Sequence, residues 1–187
     1  LFTLIDQHYE TFKQGFESLD KKAIEKAGKL ILKTIQKKKN IFTIGNGASA
    51  AIAQHWACDY TKGCSNLKTG FIPRVISLAA NIPLMTAISN DTSYEEVYSY
   101  QIERLGNPGD ILIAISSSGS SPNIVKAIRS ANMLDIKTIS LTGFDGGLSR
   151  ILADINIHVD CQEYEATEDI HQAVMHIIAK SLRNNRC

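Results

Sequence analysis

Apolar positions in the first forty residues recur with helical spacing. Leu1, Leu4, Ile5, Tyr9, Phe12 and Phe16 fall along one stripe. Ser18-Leu19-Asp20 interrupts it and offers a cap, and Ile24, Ala27, Leu30, Ile31 and Ile35 then mark one face of a second helix. From residue 41 the rhythm changes. Short apolar runs predict strands at Ile41–Ile44, Arg74–Leu78, Asp110–Ile115, Lys137–Leu141 and Asp154–Val159. Helical stretches are predicted near 48–62, 81–89, 94–105, 122–134 and 147–152, with a last helix near 165–183. Buried strands alternating with helices predict an α/β fold: a five-stranded parallel sheet flanked by helices, in a three-layer sandwich.

No repeat, low-complexity tract or Pro/Gly linker divides the chain. Residues 1–187 therefore read as a single domain, with a helical extension at 1–39 and an α/β core at 40–187. Two helices ahead of any strand need an apolar surface to cover, and a subunit contact would supply it.

The 187 residues are 44% hydrophobic and 21% charged, the balance of a folded globular protein. A net charge of +1 gives no bulk electrostatic reason to expect nucleic acid or a membrane surface as partner. The run Lys37-Lys38-Lys39 ends the second helix, where cations complement the helix dipole and face water. Cys58, Cys64, Cys161 and Cys187 are scattered with no C-x-x-C pair, as expected of reduced thiols in a cytoplasmic enzyme. No segment approaches the roughly 18 apolar residues of a membrane span. Leu1–Tyr9 lacks a basic region before an apolar core and does not read as a signal peptide.

In parallel α/β sheets ligands bind where strands end and helices begin. Two such junctions are rich in small residues: Gly45-Asn46-Gly47-Ala48-Ser49, and Ser116 to Ser121 followed by Pro122-Asn123. Backbone amides and hydroxyls at a helix N-terminus suit an anion. Donors without a full charge suit a phosphate monoester. One such loop alone is equally well a capped turn, whereas two in register with a sheet argue for phosphate binding. Neither a G-x-x-x-x-G-K-[ST] loop nor a G-x-G-x-x-G fingerprint is present at these junctions, which speaks against nucleotide-triphosphate and dinucleotide binding.

His55 and Asp59 stand four residues apart on the helix opened by the first loop, and so share a face. Glu168 and His176 stand eight apart on the last helix, about 80° round its axis. Two imidazoles and two carboxylates could hold a divalent metal, although polar pairs on the wet sides of two unrelated helices would read the same way. Asn90-Asp91 reads as a helix-end turn, and Asp145-Gly146-Gly147 as a turn with special backbone angles. His171 is about 140° from His176 and reads as packing or an interface. His158 reads as structural, and Cys58 as a small core residue.

The serine loop Ile115–Ser121, with Gly45–Ser49 upstream and Leu141-Thr142-Gly143-Phe144-Asp145-Gly146-Gly147 downstream, resembles a sugar isomerase (SIS) domain. Within that group the chain is most similar to the phosphoheptose isomerases, and also to a non-catalytic relative, the DnaA initiator-associating protein. The resemblance covers nearly the whole chain. It implies an aldose–ketose isomerase acting on a phosphorylated sugar such as sedoheptulose 7-phosphate, for heptose of surface glycans and lipopolysaccharide, in a cytoplasmic homotetramer. It implies substrate contacts from Asn46, Gly47, Ser49, Asn90, Asp91, Ser116, Ser117, Ser118, Ser121 and Glu168. It further implies a zinc site of His55, Asp59, Glu168 and His176, with Asp59 and His176 as acid/base groups. Asp59 stands where the family has Glu, and Glu168 where it has Gln. A non-catalytic sugar-phosphate-binding adaptor, and a sensor or enzyme for a different sugar phosphate, are the alternatives; the adaptor has no need of the Asp59–His176 pair.

Overall fold

Alternation along the strands sends successive side chains to opposite faces of one sheet. In the computed structural model, which describes residues 1–184, Ile41, Ile111, Ile113 and Ile115 point to one side. Phe42, Ile44, Leu112 and Ala114 point to the other. Cys187 lies outside the described residues. The strands are β1 (Asn40–Gly45), β2 (Arg74–Ser77), β3 (Ile111–Ile115), β4 (Lys137–Thr142) and β5 (Ile155–His158). They form one sheet of order β2-β1-β3-β4-β5, with every pairing parallel. The register sets Ile41 beside Ile111, and Ile111 beside Lys137.

Helices cover both faces. On one side lie α2 (Lys21–Gln36), α3 (Ala48–Cys58) and α8 (Tyr164–Asn184), contributing buried Ile31, Trp56 and Val174. On the other lie α4 (Ile82–Asp91), α5 (Ser99–Leu105) and α6 (Pro122–Met133), contributing Ile88, Ile102 and Ile128. The short α7 (Gly147–Leu152) packs against α6 and β4. Each fully buried isoleucine contributes about 1.5–3 kcal/mol, so the β-branched strands supply much of the stability. The expected five-stranded parallel sandwich is what forms.

Local chemistry explains the element ends. Asp20 caps α2 by accepting from the Lys22 amide at 2.8 Å, and Asn81 caps α4 by accepting from the Leu84 amide at 3.2 Å. The stretch expected as one helix near 94–105 divides into a 3₁₀ turn at Tyr94–Glu96 and α5. Between them Tyr98 turns inward, fully buried, and donates its hydroxyl proton to the Gly45 carbonyl at the end of β1. Burial raises its phenol well above the ordinary range. The helix expected near 48–62 stays regular only to Cys58 and widens into a π-helical stretch at Asp59–Cys64. Trp56 and Tyr60 are both fully buried there, with ring centroids 5.1 Å apart.

The first helix, α1 (Phe2–Glu17), packs on α8 through a close approach at Gly15. A Cβ there would come within 2.8 Å of Ile170. The rest of its apolar stripe stays uncovered in the single chain, Leu1, Phe2, Leu4, Ile5 and Tyr9 all being exposed. A groove of about 610 Å³ lined by Phe16, Leu19, Ile24, Leu32 and Ile177 runs between α1, α2 and α8. Among the described residues no helix is long and apolar enough to cross a membrane.

Candidate active site

The sheet order places a topological switch at β1 and β3. The helix after β1 goes to one face and the helix after β3 to the other, opening a crevice at the strands' carboxyl ends. Both small-residue loops border it. Asn46 and Asn123 tie them together by reciprocal side-chain amide hydrogen bonds, both 2.9 Å. The Tyr94 hydroxyl donates to the same Asn46 oxygen at 2.9 Å. Asn46, expected to contact substrate, is thus largely occupied in bracing one loop against the other. Asn123 and Tyr94 share that role without having been singled out, because the partnership spans 77 residues in sequence.

The start of the serine loop is sunk into the fold. Ser116 and Ser117 are buried, as is Ser49 of the first loop, while Ser118 and Ser121 are half-buried and Ser120 is exposed. The Gly119 amide donates to the Ser116 carbonyl and hydroxyl oxygens at 3.0 and 3.2 Å. The Ser117 carbonyl accepts from the Gly143 amide at 2.7 Å, fastening the loop to the one after β4. Gly119 has φ +64°, and a Cβ there would lie 1.9 Å from the Gly146 carbonyl oxygen. Only glycine fits. Ser121 stands at the N-cap of α6 without accepting a helix amide, and Pro122 begins the helix. The turn after β4 has the special angles expected, with positive φ at Phe144, Gly146 and Gly147. Lys126, one turn into α6, is engaged by Glu95 at 2.9 Å and Glu96 at 2.7 Å. Amides and hydroxyls therefore dominate the cradle, which suits a phosphate monoester held by hydrogen bonds.

A second polar cluster joins the end of α3 to α8. Asp59, half-buried, sits between two exposed imidazoles, with Oδ1 3.3 Å from His55 Nε2 and Oδ2 3.8 Å from His176 Nε2. The two rings meet edge to face, centroids 5.2 Å apart. One ligand atom from each of the three lies within 4.8 Å of the others. Two imidazole nitrogens and a carboxylate oxygen are the donor types that suit a divalent cation such as zinc. The residues fit the group.

Glu168 is not part of that set. It is half-buried, and burial raises its carboxyl above the ordinary value, assisted by Glu165 and Asp169. The residue beside both histidines is Gln172, whose Nε2 lies 2.8 Å from His55 Nδ1 and 3.1 Å from His176 Nε2. Sequence reasoning passed over it. The same four-residue rule that paired His55 with Asp59 points from His176 back to Gln172. Asn90 and Asp91 form the last turn of α4, both exposed, with the Asn90 amide donating to Asp91 at 2.8 Å.

Of the remaining histidines, His8 lies on α1 with Nε2 3.1 Å from Asp169 Oδ2, and His171 and His158 are set in packing. His171 is fully buried, and neither ring nitrogen has a hydrogen-bond partner. Burial pushes it down to about 4, partly opposed by the nearby Thr142 carbonyl, which favours the charged form without meeting hydrogen-bond geometry. His158 Nδ1 lies 3.1 Å from the Thr142 hydroxyl. Cys58 departs from expectation: it is exposed rather than a core residue, because it follows His55 by one turn on the outer side of α3.

Fold and paired loops define a SIS-domain protein, and the SIS domain family profile matches residues 6–143. The phosphoheptose isomerase of Helicobacter pylori strain P12 is 36% identical over 178 residues, spanning 95% of this chain and 91% of that protein. That of Aliarcobacter butzleri is 37% identical over 177 residues, spanning 95% and 92%. The phosphoheptose isomerase structure from Neisseria gonorrhoeae superposes with a TM-score of 0.88 at 29% identity, covering 97% of each chain. The chain belongs to the phosphoheptose isomerase family.

Proposed function

We propose that this protein interconverts sedoheptulose 7-phosphate and D-glycero-D-manno-heptose 7-phosphate, an aldose–ketose isomerisation that supplies heptose for surface glycans. The carrying observation is Asp59 held between His55 and His176, on a chain that also bears a phosphate cradle of amides and hydroxyls. Such an isomerisation moves a proton between C1 and C2 of the open-chain sugar through an enediolate. It needs a base at the carbon beside the carbonyl and a proton carrier for the oxygens.

Asp59 supplies the base. Its Oδ1 faces the His55 ring, while Oδ2 is beyond hydrogen-bond distance of His176 and is free to take the proton. His176 is exposed and neighbours that oxygen, so it can deliver and recover protons at the sugar oxygens. The sugar's phosphate anchors at Ser116, Ser117, Ser118 and Ser121 with the N-terminus of α6, and Asn46, Gly47 and Ser49 border the same crevice. Asn90, Asp91 and Glu168 are assigned to the sugar hydroxyls.

His55, Asp59 and His176 would hold zinc. The metal, when bound, polarises the substrate carbonyl and stabilises negative charge on its oxygen. A ring nitrogen on a cation cannot carry protons, so metal occupancy and proton transfer by His176 are separable roles. The uncovered α1 stripe and the apolar groove beside it support assembly through further copies of the chain, as a homotetramer in the cytoplasm.

The test is turnover of sedoheptulose 7-phosphate by purified protein, with and without zinc, beside an Asp59→Asn variant. Turnover abolished by the substitution supports the reading. No turnover under any condition, with sugar-phosphate binding intact, refutes it and favours a binding role. Zinc retained in full by a His55→Ala/His176→Ala double variant would move the metal elsewhere.

A further inference from the structure

Gln172 lies on α8 one turn before His176, half-buried, with its side-chain nitrogen on ring nitrogens of both His55 and His176. A carboxamide nitrogen only donates and its oxygen only accepts, so the way the amide faces dictates where each imidazole carries its proton. We infer that Gln172 sets the tautomers of His55 and His176, and that reversal of its carboxamide accompanies entry of a cation into the cluster. This rests on the metal-holding role proposed above and not on the identity of the sugar.

With nitrogen inward, both contacted ring atoms are acceptors. His55 then carries its proton on Nε2, which faces Asp59 Oδ1 across an ion-pair contact of 3.3 Å. His176 carries its proton on Nδ1, and the lone pair of its Nε2 is taken by Gln172. Neither imidazole offers a free lone pair towards Asp59. With protons rather than lone pairs turned to the carboxylate at His55 and Gln172 on both rings, this is the favoured arrangement for the metal-free protein.

A cation shared with Asp59 requires His55 Nε2 to be bare, because its other nitrogen faces Gln172. The ring proton must move to Nδ1, where an inward amide nitrogen would set donor against donor. Reversal brings the amide oxygen to that position. The oxygen accepts from Nδ1–H and holds the ring for ligation, as partners of metal-bound histidines do. The same reversal removes the donor from His176 Nε2 and releases its lone pair. Without a cation the reversed state is unfavourable, since bare Nε2 and the Asp59 carboxylate oxygen would confront each other as two acceptors. Gln172 is thus a positioning residue that couples ring tautomer to metal occupancy.

The experiment is nitrogen–proton correlation NMR of the histidine rings in the full chain, before and after adding zinc, with zinc affinity measured by chelator competition. Metal-free protein is expected to show His55 protonated at Nε2 and His176 at Nδ1, and zinc to move the His55 proton to Nδ1. Gln172→Glu, which can only accept, should place the His55 proton on Nδ1 without any metal. Gln172→Leu should release both rings from a single tautomer and weaken zinc binding about 10-fold or more. A His55 proton that stays on Nε2 in the presence of zinc overturns the inference. So do zinc failing to bind, or Gln172→Leu leaving both tautomers and affinity unchanged. Tautomers that respond as expected in a protein with no isomerase turnover would uphold the inference and refute the proposed reaction instead.

Discussion

The cradle proposed to hold phosphate and the His–Asp cluster are built in opposite ways. The cradle is made of backbone. Ser49, Ser116 and Ser117 are buried, Gly45 and Gly119 admit no side chain, and two asparagines and a tyrosine clamp it from across the crevice. The cluster is made of side chains on two helix surfaces, partly or fully exposed and held by contacts of 2.8 to 3.8 Å. Binding a phosphate asks for fixed amide directions, which only packed backbone supplies. Moving protons asks for groups whose charge and rotamer can change, which packing would forbid. The cradle therefore tolerates no added volume at Gly45 or Gly119, whereas the cluster tolerates changes of shape and no loss of charge.

That contrast can be broken in four places. Asp59→Asn keeps the shape of the cluster and removes its charge, so turnover should fall about 10³-fold. Urea midpoints unchanged from wild type would show that the loss is chemical. Gly119→Ala should do the reverse. A Cβ 1.9 Å from the Gly146 carbonyl, on a positive-φ residue, should destabilise the fold by roughly 3 kcal/mol or more, read by chemical denaturation. If the variant keeps wild-type stability, the cradle is softer than its packing indicates.

Buried His171 tests the cradle side through pH. Above about pH 6.5 the ring is neutral in both folded and unfolded chains. As pH falls the unfolded chain takes the proton first, because the folded ring resists protonation down to about 4. The unfolded state then binds more protons, so stability falls between those values, by roughly 3 kcal/mol in all. His171→Leu should flatten that window in urea titrations at pH 7, 6 and 5. A wild-type profile in the variant would assign the acid sensitivity to other groups. The smallest effect belongs to Ser118→Ala. Losing one phosphate hydrogen bond should weaken sugar-phosphate binding by about 1–2 kcal/mol in calorimetry, and unchanged affinity would move the phosphate off this loop.

Much of the fold was legible because strand and helix periods differ. Isoleucines packed into short runs gave all five strands, and the loops at 45–49 and 116–121 stood out as small residues between a strand and a helix. The pairing of His55 with Asp59 was equally readable, since four residues is one helical turn. What escaped were partnerships between distant segments. Glu168 was grouped with His176 by helical spacing and family pattern, while the contact to both histidines comes from Gln172, a residue whose meaning depends on how α8 lies against α3. The bracing of Asn46 by Asn123 and Tyr94 was hidden for the same reason, as was the widening of the helix at Asp59.

Local and periodic information thus determined the elements, their layering, the two small-residue loops and the pairing of His55 with Asp59. Those features follow from side-chain alternation, from capping chemistry and from the short reach of helical neighbours. Tertiary structure alone decided the rest: which loops face one crevice, which amides brace instead of bind, and which residue of α8 touches His55. Hydrogen bonds and ligand sets act over about 3 Å, and only the packing of the helices on the sheet brings residues more than a hundred positions apart within that distance.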